Sequence, residues 1–151
     1  MALPTHIDLQ IVTPDKLIVR EKVDEVEVPG SEGYFGVLPG HAPFLASLAV
    51  GELWYRKGAE KTYVAIASGF AEVLPESVTI LAQLAERPED IDVARAEAAK
   101  TRAEDRLKAS GSDTDTPRAG LALVKALNRI QVSSRSSGVN QKAGAHKQVR
   151  T

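Results

Sequence analysis

The chain has no cysteine, few aromatic residues and no long apolar run. None of its 151 residues is cysteine, and only 5% are Phe, Trp or Tyr. The lack of cysteine excludes disulfides, thiolate metal sites and a thiol nucleophile, and it suits a reducing compartment. No apolar run approaches the roughly 18 residues that a membrane span needs, so direct membrane insertion is not expected.

An excess of charge of either sign is also lacking. Nineteen Lys and Arg residues face twenty Asp and Glu residues, for a net charge of -1, which argues against a nucleic-acid binder that relies on broad electrostatics. The N-terminus reaches Asp8 before an apolar segment forms, so neither a secretory nor an import signal is expected. The 43% of hydrophobic residues can build a core in a chain of this length.

Residues 7 to 84 carry the pattern of short β-strands. Ile7, Leu9 and Ile11 alternate with other residues, as do Val26 and Val28, which predicts strands with one buried face. Short apolar runs follow, mostly separated by Gly, Ser or Pro, at residues 42–48, 53–55, 63–67, 70–74 and 78–84. This spacing favours an all-β sandwich or a flattened barrel.

At Pro88 the hydrophobic period changes to that of helices. Acidic residues crowd a helix start, and an Ala-rich run continues to about Ala109. Residues 110–113 break this helix, and Thr116 with Pro117 forms an N-cap and first-turn pair for a second one. The predicted apolar seams are Val93, Ala96, Ala99, Ala103 and Leu107 on the first helix, and Ala119, Leu123, Ala126 or Leu127, and Ile130 on the second.

The predicted fold is therefore an N-terminal all-β sandwich followed by a C-terminal antiparallel two-helix hairpin. The sandwich covers residues 1–87 and the hairpin covers 88–132. From Ser133 the chain is polar and basic with no acidic residue, which predicts a disordered tail over 133–151.

Charged residues repeat along both predicted helices. Asp92, Arg95 and Arg102 share one helical face, and Lys125 and Arg129 share another. If the two faces meet, cations converge with one carboxylate, an arrangement suited to a polyphosphate. The alternative from spacing alone is an exposed, salt-bridged helix surface.

The segment Val28–Pro43, VPGSEGYFGVLPGHAP, carries glycine at every third position before a Pro-Gly-His-Ala-Pro reversal. We predict a series of tight turns rather than a strand or helix. The segment lacks the Lys-Ser/Thr pair and the context of a P-loop. It resembles the turn region of the epsilon subunit of bacterial F-type ATP synthases. Residues 91–96, IDVARA, are similar to the nucleotide-binding motif of many members of that family.

This resemblance implies a ten-strand sandwich and a nucleotide site on the hairpin. Glu86, Asp92, Arg95, Arg102 and Arg129 fall where nucleotide-binding epsilon subunits carry matching residues. Lys125 departs from the family's arginine, and a lysine keeps the charge but loses the bidentate fork. ATP is then a candidate regulatory ligand, and no cofactor is required.

The resemblance further implies a non-catalytic rotor subunit that couples the gamma subunit to the c-ring, with Gly30–Pro43 as candidate contacts. The hairpin would inhibit ATP hydrolysis when extended, in contact with the beta and alpha subunits. The basic residues that would then face beta are Arg118, Lys125, Arg129 and Arg135. The expected location is the cytoplasmic face of the bacterial plasma membrane, as a peripheral protein. The alternative function is a free-standing β-sandwich binding module whose hairpin grips a partner.

No catalytic residue and no metal site are predicted. The three histidines, His6, His41 and His146, are scattered without metal-ligand spacing. No serine lies in a nucleophile elbow, and the acidic clusters are typical of solvated strand edges and a helix start. Nothing in the sequence indicates an enzyme.

Overall fold

The computed structural model describes residues 2–109 and 115–145, with side chains up to Arg135 in the last helix. The chain divides into two compact units between Glu86 and Arg87, one residue before the predicted boundary. The strands are β1 Ile7–Val12, β2 Leu17–Val23, β3 Glu25–Gly30, β4 Gly33–Val37, β5 Phe44–Leu48, β6 Gly51–Lys57, β7 Glu60–Val73 and β8 Ser77–Glu86; a 3-10 turn at Pro88–Asp90 precedes helices α1 Val93–Ala109 and α2 Thr116–Ala145.

The first unit is one continuous network of paired strands. The main order is β2-β1-β8-β7-β5-β3-β4, and β6 pairs with both β3 and β7. Strand β1 runs antiparallel to β2 but parallel to β8, with Leu9 opposite Val78 and Ile11 opposite Ile80. Because β7 contacts β5, β6 and β8, it joins the two sides of the sandwich.

Branched aliphatic side chains fill the core of this unit. The predicted alternation is confirmed, because Ile7, Leu9, Ile11, Val26 and Val28 are all fully buried. Their inward direction follows from the period of two, which places alternate side chains on one face of a strand. The rest of the core includes Val19, Val23, Val37, Leu53, Tyr55, Val64, Ile66, Val73, Val78 and Ile80.

The prediction of successive tight turns over Val28–Pro43 is wrong for its first half. Strands β3 and β4 form a hairpin in which Gly30 pairs with Gly33 across a two-residue turn. Glycine is required at residue 30 because a Cβ there would lie 2.7 Å from the Gly33 carbonyl oxygen and 3.1 Å from the Phe35 ring. The glycine spacing therefore belongs to a close hairpin, and only residues 38–43 form the predicted reversal.

The ten strands implied by the family resemblance are not found, since residues 2–86 form eight. Strand β7 runs through Ser68 and Gly69, where the sequence predicts a turn between two strands. Both residues have positive φ, 51° and 127°, so they bend the strand without ending it. A Cβ at Gly69 would collide with the backbone of Leu81 on β8, which explains the glycine.

The second unit holds the two predicted helices, and α1 and α2 pack against each other. Helix α1 is described as far as Ala109, and the predicted break at 110–113 lies outside the described residues. The first hydrogen bond of α2 runs from the Ala119 N–H to the Asp115 carbonyl, so this helix begins one residue earlier than a Thr116 cap implies.

The structure also differs from the predicted tail. Helix α2 continues to Ala145, so residues 133–145 extend the helix rather than follow it. No proline follows Pro117, so the helix is not interrupted by a missing backbone N–H, although the serines and the two glycines of this segment are weak helix formers. The last six residues of the predicted tail, 146–151, lie outside the described residues.

Candidate functional site

The entry into α1 explains much of the IDVARA motif structurally. Asp92 is the N-cap: its Oδ1 accepts a hydrogen bond of 3.0 Å from the Arg95 N–H, and its carbonyl accepts one from the Ala96 N–H. Ile91 is buried just before the helix, and Ala96 is buried one turn inside it. The motif therefore anchors, caps and packs the start of the helix, whatever else its charged residues do.

The seam between the helices consists mainly of small residues. Ala96 and Ala103 are buried on α1, and Ala119, Ala126 and Val132 are buried on α2. Of the other predicted seam residues, Leu107, Leu123 and Ile130 are half-buried, whereas Val93 and Leu127 are 45% and 43% exposed. The observed seam is thus narrower than the predicted one, and it buries little apolar area.

Five of the six residues of the predicted nucleotide site lie on the hairpin. Arg95 and Arg102 are exposed, seven residues apart on α1, and Lys125 and Arg129 are half-buried, four apart on α2. The Nε atom of Arg129 is itself buried. Offsets of seven and four keep each pair on one face of its helix, as predicted.

The sixth residue, Glu86, belongs to a strand. It is the half-buried last residue of β8 and pairs with Ala65 of β7, so it belongs to the first unit. Asp92, the other acid of the predicted set, already uses one carboxylate oxygen in its capping bond. Its second oxygen is the one left to contact a ligand.

A cavity lies at the turn end of the hairpin, where α1 ends and α2 begins. It measures about 370 Å³ and is lined by Arg106, Ala109, Asp115 and Arg118. None of the six predicted residues lines it. Arg106 was missed at the sequence level, although its offset of four from Arg102 places it on the same face of α1. Two guanidinium groups and one carboxylate line this cavity, so its charged lining is net positive.

The first unit carries its own exposed surface near the predicted contact segment. Tyr34, Leu38 and Phe44 are 56%, 57% and 48% exposed. Tyr34 is held in place because its hydroxyl accepts a hydrogen bond from the Glu52 N–H. His41 Nδ1 lies 2.6 Å from the Ala42 carbonyl oxygen, so its ring is engaged in the loop, which fits a turn residue. Exposed large apolar side chains such as these are candidates for contact with a partner protein.

Neither a metal site nor a membrane span is found in the part of the chain that the structure describes. No group of three or more His, Asp or Glu side chains there has the arrangement of metal ligands. No helix among the described residues is long and apolar enough to cross a membrane.

A β-sandwich followed by a cation-bearing helical hairpin is a known combination of domains. Residues 6–88 match the family described as "ATP synthase, Delta/Epsilon chain, beta-sandwich domain", and residues 89–134 match "ATP synthase, Delta/Epsilon chain, long alpha-helix domain". These two matches span both units. The fold therefore defines a subunit of the ATP synthase delta/epsilon class.

Curated relatives narrow this class. The chain is 56% identical over 106 residues to the ATP synthase epsilon chain of Koribacter versatilis, covering 70% of this chain and 75% of that one. It is 52% identical over 126 residues to the ATP synthase epsilon chain of Nitratidesulfovibrio vulgaris, covering 83% and 94%. This chain belongs to the epsilon subunit family of ATP synthases.

A solved structure agrees in three dimensions. A chain in the structure of the Euglena gracilis mitochondrial ATP synthase, described as OSCP/F1/c-ring in rotational state 1, superposes with a TM-score of 0.73 at 28% identity. The match covers 82% of this chain and 79% of that one. The resemblance drawn from the two motifs is confirmed, as are the sandwich and the two helices.

Proposed function

We propose that this chain is a non-catalytic rotor subunit that couples the gamma subunit to the c-ring and restrains ATP hydrolysis through its hairpin. The proposal places it at the cytoplasmic face of the plasma membrane, as a peripheral protein. The neighbouring structure contains F1 and a c-ring, which supports an assembly of this kind. The exposed side chains of Tyr34, Leu38 and Phe44 are the candidate contacts of the first unit.

The observation that carries the restraint is the alanine seam of the hairpin. A buried methyl group contributes about 0.8 kcal/mol, whereas a buried Leu or Ile contributes about 1.5–3 kcal/mol. Helices held by such a seam have little free energy to lose when they take a new partner, so a competing surface can redirect them. Leu121 and Val124 on α2 are half-exposed and offer apolar contacts to such a partner.

ATP is the proposed regulatory ligand of the hairpin. Arg95, Arg102, Lys125 and Arg129 supply the positive charge, and the free oxygen of Asp92 supplies an acceptor. Binding to one state of the hairpin would favour that state by RT ln(1 + [ATP]/Kd), about 2.7 kcal/mol at a hundredfold excess over Kd. This gain is comparable with the burial of about three to four alanine methyl groups, so ATP would shift the balance between the two states. The basic residues Arg118, Lys125, Arg129 and Arg135 would face the beta subunit, next to alpha, in the other state.

The restraint is tested by truncation. A fragment ending at Arg87 keeps all eight strands, so we expect it to fold, to co-purify with gamma and the c-ring, and to release ATP hydrolysis from inhibition. An assembled enzyme with this fragment that hydrolyses ATP no faster than the enzyme with the full chain would contradict the restraint. A folded fragment that binds neither partner would favour a free-standing binding module instead.

The nucleotide site is tested by calorimetry on the full chain. Lys125→Arg restores a bidentate donor, and we expect ATP to bind more tightly by about 1 kcal/mol. Arg95→Ala and Arg129→Ala remove charge as well as geometry, so each weakens binding by more. Asp92→Ser, which retains a capping oxygen, separates the ligand role of the carboxylate from its capping role. If the parent binds no ATP at millimolar concentration, or none of the variants changes the affinity, the cations are a solvated surface.

A further inference from the structure

The carboxylate of Asp24 connects three segments at one edge of the first unit. Asp24 is the single residue between β2 and β3. Its Oδ2 accepts a hydrogen bond of 2.7 Å from the Gly58 N–H in the turn between β6 and β7. Its Oδ1 lies 3.0 Å from Nδ1 of His6, in the segment that precedes β1. The side chain therefore links the chain's beginning to two strand connections that are distant in sequence.

Arg56 of β6 completes this group. Its Nε donates to Glu25 Oε2 at 3.1 Å, and its guanidinium donates to the Gly58 carbonyl at 2.8 Å and lies 3.8 Å from Asp24 Oδ2. The backbone adds another link, from the Asp24 N–H to the Arg56 carbonyl at 2.8 Å. Several hydrogen bonds and an ion pair thus join the β2–β3 connection at Asp24 to the β6–β7 connection at Gly58. The N-terminal segment is fixed to them at the side-chain level by His6.

The charge of Asp24 is constant across the neutral range. Its hydrogen bond from the Gly58 backbone is the largest cause that holds the pKa of this carboxyl below its usual value; desolvation opposes the shift, and His6 and Arg56 support it. The charges around the carboxylate are those of Glu25 and Arg56 on β3 and β6, with the Lys22 and Asp8 pair of β2 and β1 alongside. Lys and Arg keep their charge near neutral pH, and so do Asp and Glu, whereas a histidine changes charge near about pH 6.5.

We propose that His6 and Asp24 form a pH-dependent clasp that fastens the N-terminal segment to the β2–β3 and β6–β7 connections. When the imidazole is protonated, it donates a charge-assisted hydrogen bond to the carboxylate. When it is neutral, only a weaker hydrogen bond remains. The clasp is therefore tighter when the imidazole is protonated than when it is neutral, while the Gly58 and Arg56 contacts persist in both cases.

Hydrogen exchange of the full chain tests the clasp. Amide protection of residues 5–7, corrected for intrinsic exchange rates, is compared at about pH 5.8 and about pH 7.6, on either side of the ordinary histidine pKa. His6 is 53% exposed, and exposed ion pairs contribute about 0.2–1 kcal/mol. We therefore expect protection to fall by about 1.4- to fivefold at the higher pH. His6→Gln should abolish this difference.

Two further variants separate the clasp from general effects of pH. His41→Gln removes a histidine whose ring contacts a carbonyl instead of a carboxylate, so it should retain the full pH difference. Asp24→Asn keeps an oxygen to accept from Gly58 but removes the charge, so it should behave like His6→Gln. Equal pH differences in the parent and in His6→Gln, or none in the parent, would overturn the proposal.

Discussion

The two units of this chain are stabilised by different kinds of interior. The β-unit buries whole branched side chains such as Leu9, Leu53 and Ile80, while the hairpin seam buries mainly alanines. Per side chain, the first kind of burial contributes about two to four times as much free energy as the second. The first unit is thus stabilised by a large core of its own, and the second has a small apolar seam and a capped helix start. This difference is consistent with the roles proposed above, in which the first unit anchors the subunit and the second regulates.

The largest expected effect is in the β-unit. Ile80→Ala removes a fully buried side chain from β8 and should lower the free energy of unfolding of this unit by about 2–5 kcal/mol. Urea denaturation followed by Trp54 fluorescence measures it. The matched control is Leu81→Ala at the next residue, which is 54% exposed and should change stability little. Similar losses in the two variants would show that β8 does not have the buried face described here.

The hairpin seam should be destabilised by added side-chain volume, whereas the β-unit is destabilised by removed volume. Ala103→Leu forces a larger side chain into a fully packed position and should cost about 1–3 kcal/mol of hairpin stability, read from the thermal loss of helical circular dichroism. Ala98→Leu, at an exposed position of the same helix, is the control. A stabilised Ala103→Leu variant would mean that the seam is loosely packed instead.

The cap of α1 comes next in size. Asp92→Ala removes the acceptor of the Arg95 N–H and should cost about 1 kcal/mol of hairpin stability. Asp92→Ser keeps an acceptor and should recover most of it. Thermal unfolding monitored at the helical band compares the three proteins. Equal stability of the Ala and Ser variants would show that the capping bond contributes nothing measurable.

The smallest effect concerns acid stability of the β-unit. Because the pKa of Asp24 is lower in the folded state than in the unfolded state, its contribution is fully present above the unfolded value and is lost as pH falls through the folded value. Asp24→Asn should therefore flatten the dependence of stability on pH below about pH 4, the ordinary range of an aspartate. A variant with an acid limb as steep as that of the parent would assign the acid sensitivity to other carboxyls.

The sequence allowed the strands and helices to be predicted better than their connections. Ile7, Leu9 and Ile11 show their buried face by alternation, and α1 covers the predicted Ala-rich run. The predicted break at Ser68 and Gly69 is wrong. These residue types often end a strand, but here they bend β7, which continues and stays paired with β8. Likewise, the sequence predicts turns at Gly30 and Gly33, whereas in the structure these glycines allow two strands to pair closely.

The candidate site was predicted in part. Spacing alone placed Arg95 with Arg102, and Lys125 with Arg129, on shared helical faces. It did not indicate that one carboxylate oxygen of Asp92 caps its own helix. Nor did it indicate that Arg106 and Arg118 line a cavity at the other end of the hairpin. Those facts depend on which atoms meet, and a residue's position in a helical repeat does not supply that information.

By itself, the sequence determined the order of a β-unit and a hairpin, the change at Pro88 and the faces of each element, because hydrophobic period and capping residues act within a few residues of chain. Tertiary structure decided the parallel pairing of β1 with β8, the count of eight strands and the meeting of His6, Asp24 and Gly58. These depend on contacts between residues far apart in the chain, where register and close approach are set by the packing of the whole unit.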